Sequence, residues 1–158
     1  MEIKYGRVEG DGSGREYPVA ANQYFHRLGG KFVYLSAGNV TLCASDATEI
    51  AGWAHMPKCA AGHDAWKSSS TAEEDKMFVS YGLDDVYEMP YDNSTNASLA
   101  ASLIGAGCDI LDTSATYTLI QKARYHATAA SNLLDIVDVD TVNTTVRVKI
   151  RPTKKQNI

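Results

Sequence analysis

Apolar and polar positions alternate most regularly near the end of the chain. In "DIVDVDTVNTTVRVKIRP", Val146, Val148 and Ile150 share one parity, and Arg147, Lys149 and Arg151 take the other. A period of two marks a strand with one buried face. A turn at "TVNT" pairs this strand with the run before it. Val139 then opposes Val146, Val137 opposes Val148, and Asp138 opposes Arg147. Moving the register by one residue would bury charges, so the pairing is well specified. Pro152 ends the strand.

A second patterned region, "GGKFVYLSAGNVTLCASDATEIAGWAHM", predicts three short strands: "KFVYLS", "VTLCA" and "EIAGWAHM". "AGN" and "SDAT" supply the turns between them. Val40 and Leu42 fall on one face, and Gly52 marks a bulge or a close approach of backbone. "MFVSYGLDDVYEMP" adds strand character, and "CDILDTSATYTLIQKARYH" reads as two strands around a Thr/Ser turn. In "NASLAASLIGAG", small helix formers lie between cap candidates, which predicts one short helix over 97–104. The expected fold is mainly β: a small antiparallel β-barrel or sandwich carrying one short helix.

Elsewhere the pattern lapses. Residues 1–23 are rich in glycine and charge, with Ile3, Tyr5, Val8, Tyr17 and Val19 scattered among them. Such a segment reads as an extended N-terminal arm that orders against a neighbour. Residues 57–76 read as a long loop around an isolated Trp66. That indole either anchors a contact or tucks the loop onto its own core. The expected organisation is the arm, a β-barrel-like domain over 24–152, and a basic C-terminal tail over 153–158. Ile3, Tyr5, Val8, Tyr17 and Trp66 are the candidate interface residues.

Composition narrows the function classes. A chain of 158 residues suits one domain, and 44% hydrophobic residues suffice for a core. The net charge of -4 argues against direct, non-specific binding of nucleic acid. Cys43, Cys59 and Cys108 are too few and too scattered for a disulfide framework. Cys43 and Cys108 lie in strand-like surroundings and read as small core residues. "MEIKYGRVEG" lacks the apolar stretch of a signal peptide, and no apolar run is long enough for a transmembrane helix. The expectation is a chain made in the cytoplasm, with no membrane partner. Sequons at Asn39, Asn93, Asn96 and Asn143 then carry no weight.

The chemical motifs are sparse. "HMPKCAAGH" spaces His55, Cys59 and His63 four residues apart, which on a helix would stack three metal ligands. Pro57 and Gly62 interrupt any such helix. A small metal-dependent enzyme built on these three residues is therefore the alternative reading. No G-x-S-x-G elbow occurs. The acidic groups Glu73-Glu74-Asp75, Asp84-Asp85 and Asp135/Asp138/Asp140 lack the glycine and glutamate of an EF-hand loop. "GDGSG" lacks the Lys-Ser/Thr ending of a phosphate loop. The expected protein is not an enzyme and needs no cofactor. A module binding host-surface carbohydrate through Tyr and Trp is a further alternative.

One resemblance gives the contact reading content. Leu35–Gly38, Val40–Leu42, Asp46 and Ile50–Ala54 resemble a pattern in head decoration (cement) proteins of tailed bacteriophages. There an "L-x-x-G" turn leads to a "V-x-L" strand, an acidic turn and an "I-x-G-x-A" strand. The closing "DIVDVDTVNTTVRVKI" also resembles the terminal hairpin of such small virion barrels. The resemblance implies a non-enzymatic protein on the outer capsid surface of the virion. Its partners would be the major capsid protein and copies of itself, often as a trimer. Terminal arms commonly make the clamp, and multivalency makes modest contacts hold.

Overall fold

A computed structural model describes residues 5–59, 61–94, 97–112, 119–126 and 132–158. Thirteen strands are assigned among them: β1 (Gly6–Glu9), β2 (Gly14–Pro18), β3 (Tyr24–His26), β4 (Phe32–Ser36), β5 (Asn39–Leu42), β6 (Gly52–His55), β7 (Ala65–Lys67), β8 (Lys76–Ser80), β9 (Val86–Pro90), β10 (Gly107–Asp112), β11 (Gln121–Tyr125), β12 (Leu134–Asp140) and β13 (Thr145–Ile150). They form a six-stranded sheet in the order β1-β9-β13-β12-β10-β11, a five-stranded sheet in the order β2-β8-β6-β4-β5, and the pair β3-β7. Every ladder is antiparallel.

Each large sheet curls. Tyr91, just past β9, makes an isolated parallel bridge to Ala123 of β11, and Val19, just past β2, makes one to Val40 of β5. These are single bridges rather than ladders, so neither sheet closes into a continuous barrel. The larger apolar cluster includes Tyr87, Met89, Ile110, Leu134, Ile136, Val146 and Val148 of the six-stranded sheet. A smaller one gathers Tyr17, Val33, Val40, Ala54, Met77 and Val79 of the five-stranded sheet, with Phe25 of β3. An aromatic seam joins the two sheets. Trp53 stacks on Tyr87 at 5.1 Å, and Phe32 meets both edge-on, at 4.9 Å and 5.3 Å. Pairs of this kind contribute about 0.5–1.5 kcal/mol each beyond area burial.

Side-chain amides stitch the seam. Gln121 is fully buried; its Oε1 accepts from Phe32 N at 2.8 Å, and its Nε2 donates to Phe32 O and Cys43 O, both at 3.0 Å. A β11 side chain thus takes the place of a strand backbone beside β4. Gln156 does the same for Leu35, accepting from its N at 2.7 Å and donating to its O at 3.0 Å. Gln23 Oε1 accepts from Leu42 N at the other edge, at 3.0 Å.

The patterned regions fold as their sequence indicates. The three predicted strands appear as β4, β5 and β6, with β4 between the other two, and Ala37 and Gly38 are both at positive φ in a two-residue turn. Gly52 is a close approach: a Cβ there would lie 2.1 Å from Ser80 O. In the terminal hairpin, Val139 faces Val146 and Asp138 faces Arg147, as expected. Val148, however, opposes Ile136 and not Val137, because the register shifts between Ile136 and Asp138. The bulge leaves Val137 unpaired and exposed while Ile136 is buried.

Four expectations need correction. The arm over 1–23 is extended, but its described part is paired to its own chain. β1 edges the six-stranded sheet through β9, and β2 edges the five-stranded sheet through β8. Backbone pairing holds these polar segments where side-chain pattern gives little sign of a strand. The loop over 57–76 contains β7, with Phe25 opposite Trp66. The helix over 97–104 is reduced to a 3₁₀ turn, Ala101–Leu103, whose preceding Ala100 makes no side-chain cap. The tail over 153–158 is docked, since Ile50 N donates to Lys154 O and Gln156 N to Ile50 O, both at 2.8 Å.

Candidate functional site

A cleft of about 490 Å³ lies between the start of β1, the β3–β4 connection and β6. Tyr5 and Arg7 line one side, Arg27, Leu28 and Lys31 the second, and Trp53, His55 and Met56 the third. Local sequence explains the geometry. Gly30 sits so close to β11 that a Cβ would lie 2.8 Å from Gln121 Oε1. This close pass sets up Lys31 at the head of β4. Phe32, next in the chain, enters the core, and the Lys31 side chain turns the other way across Trp53. Its Nζ lies 5.4 Å from the indole centroid and donates to Gly29 O at 3.0 Å. Lys31 is only 6% exposed, and burial pulls its pKa down to about 8.

Behind the cleft runs a polar chain. His55 Nε2 lies 3.1 Å from Ser80 Oγ, Ser80 Oγ lies 3.3 Å from Tyr87 Oη, and Tyr87 donates to Asp85 Oδ2 at 3.2 Å. Asp85 Oδ1 in turn accepts from Gly12 N at 3.2 Å, tying the β1–β2 turn to the seam. Burial lowers the His55 pKa, Arg7 and Lys31 lower it further, and Asp85 opposes them. Burial raises the Tyr87 hydroxyl well above the usual phenol range. Ser80 and His55 are at the spacing of a nucleophile and its base. Ser80 is fully buried, however, and its Oγ also lies 3.4 Å from Trp53 O. A serine with no exposed surface presents nothing to a substrate, so the chain of contacts acts as a polar lock between the sheets.

His55, Cys59 and His63 part company. His55 ends β6 and faces the cleft, while Cys59 and His63 line a neighbouring groove with Pro57, Lys58 and Asp64. Among the described residues, no group of three His, Cys, Asp or Glu side chains converges as a metal site. Cys43 and Cys108 are fully buried core thiols, and burial raises their pKa values.

The interface candidates also separate. Ile3 lies outside the described residues. Tyr5 walls the cleft and packs on the larger core. Val8 is exposed on β1. Tyr17 is buried in the smaller core, and Trp66 packs there too, 6.0 Å from Phe25. More apolar surface lies on and beside the terminal hairpin. Val142 at its tip is 89% exposed, and Val137 at the bulge is exposed. Gly105 N donates to Ile136 O, which sets exposed Ile104 beside that bulge. The tip is held in shape by Asp140, which accepts from Val142 N at 2.9 Å and Asn143 N at 3.0 Å.

Sequence reasoning missed Arg7, Arg27 and Lys31. The one signal was "HRLGGK", where two glycines separate basic residues at a predicted strand start. In comparisons with protein-family models, curated proteins and solved structures, none matches the chain.

Proposed function

We propose that this chain is a structural virion protein of a tailed bacteriophage, a non-enzymatic decoration protein. In this reading it binds the outer capsid surface and braces neighbouring major capsid subunits. The observation that carries the reading is the fold of the segment bearing the resemblance. Residues 32–55 contain β4, β5 and β6 in one antiparallel unit, with the turn at Ala37–Gly38 where the family pattern has its "L-x-x-G" turn. The two curled sheets are read as barrel-like halves, and self-association as a trimer supplies multivalent contact.

The hairpin apex is the favoured contact surface, because Val142 is an almost wholly exposed apolar side chain on an ordered turn. Val8 on β1 offers a second patch of the same kind. Tyr17 and Trp66 serve the protein's own core. The test is co-sedimentation of the purified chain with capsids of the phage that encodes it, assembled without this protein. Saturable binding that Val142→Asp weakens supports the reading. Absence of saturable binding by the native chain overturns it.

A further inference from the structure

The cleft beside β6 holds a buried amine that lies over the Trp53 ring and donates to one carbonyl, with no carboxylate paired to it among the described residues. Among the described residues, Gly29 O is the one hydrogen-bond acceptor of Lys31 Nζ. Among the described residues, no carboxylate forms an ion pair with Lys31 or Arg7. The acidic groups around the cleft are otherwise engaged. Asp64 pairs with Arg27, and Asp85 is occupied by Tyr87 and Gly12 behind His55. Asp11 is turned to Ser13 N at 2.9 Å, although it still feels Arg7. Glu88 acts on Tyr5 and accepts from Thr145 at 3.0 Å. Arg7 donates to Gly10 O and lies along Gly12 at the rim.

The charge count points to one kind of ligand. Arg27 is matched by Asp64, and burial favours the neutral form of His55. Lys31 and Arg7 remain as two positive charges facing one concavity, on a chain whose net charge is -4. A dianion would satisfy both, whereas a carboxylate would satisfy one. Lys31 supplies a deep point charge, and a guanidinium at the rim suits oxygen pairs. Leu28, Met56 and Tyr5 give the mouth an apolar surface for the body of a ligand.

We propose that this cleft is a binding site for a phosphate-type dianion, with Lys31 Nζ as the deep donor and Arg7 at the rim. The site is separate from the exposed hairpin apex and does not depend on capsid binding. Inorganic phosphate is the probe, with acetate as the monoanion comparison. Both are titrated into the full chain at pH 7 and followed by amide chemical shifts and calorimetry. Phosphate should bind saturably, acetate more weakly, and shifts should centre on residues 29–31 and 53–56. Lys31→Met keeps the apolar stem and should lower phosphate affinity about tenfold, as expected for a lost charged hydrogen bond. Lys67→Met, on a lysine stacked over Tyr24 away from the cleft, should bind as the native chain does. If Lys31→Met does not fold, Arg7→Met on the exposed edge strand supplies the same reading, with a several-fold loss. The proposal is overturned by no saturable phosphate binding, by equal binding of acetate, or by unchanged affinity in the folded variant.

Discussion

Replacing Gln121 with leucine removes an amide that stands in for a strand, while nearly conserving volume. The amide serves three backbone groups, but they do not suffer equally. Phe32 O keeps a second donor, Cys43 N, at 2.9 Å. Phe32 N and Cys43 O have no other hydrogen-bond partner among the described residues, and they lie in a fully buried region. Leaving a buried polar group unpaired costs about 1–3 kcal/mol. Two such groups predict a loss of about 2–6 kcal/mol, with little cavity contribution because leucine refills the space. Urea unfolding followed by tryptophan fluorescence measures this as a lowered midpoint at constant slope. Gln156→Leu is the internal comparison. Its two bonds to Leu35 lie in a half-buried site that water can reach, so about 0.5–1.5 kcal/mol is expected. If Gln121→Leu cost no more than Gln156→Leu, side-chain amides would not be what joins the sheets.

Further outcomes follow from the same geometry. Gly52→Ala forces a Cβ to within 2.1 Å of Ser80 O and should cost about 2–3 kcal/mol by thermal unfolding. Gly38→Ala, with open space around it but a φ of +84°, should cost only about 1 kcal/mol. Lys31→Met should stabilise the chain at pH 7 by about 1–3 kcal/mol, since burial of the ammonium is relieved at the loss of one cation–π contact. The Lys31 pKa falls from 10.5 unfolded to about 8 folded, so the unfolded chain holds more protons between those values. Native stability from this group is lowest below about pH 8 and recovers toward 10.5, so the advantage of methionine shrinks over that window. Val142→Asp should leave unfolding unchanged within about 0.5 kcal/mol, because the side chain is 89% exposed.

The legible parts of the fold were those in which side chains alternate against one core. Val146, Val148 and Ile150 revealed β13 because all three are buried, and Arg147 lies 3.7 Å from Asp138 as the charge pattern implied. The bulge at Val137 was not legible. "VDVD" alternates whether or not a residue is inserted, and only the packing of Ile136 against the core decides. β1 and β2 were hidden for another reason. Edge strands with exposed side chains are held by backbone pairing, which leaves little trace in a hydrophobic pattern. Deleting the first twenty residues therefore removes an edge from both sheets, where the sequence implied a dispensable arm. The cleft was equally silent. Lys31, Arg7 and Trp53 meet only because β4 and β6 are neighbours and β1 crosses beside them. Nothing in the spacing of those residues announces it, whereas the regular spacing of His55, Cys59 and His63 announced a convergence that the strand-to-loop transition at Pro57 does not provide.

The proposed function is that this chain braces a capsid from outside. Heating capsids of the phage assigned by that proposal, assembled without this protein and then given the purified chain or buffer, tests it most directly, with DNA release as the readout. The account predicts that the rupture temperature rises as protein is added and levels off at saturation, and that Val142→Asp requires more protein for the same rise. A rupture temperature unmoved at any protein concentration would contradict it.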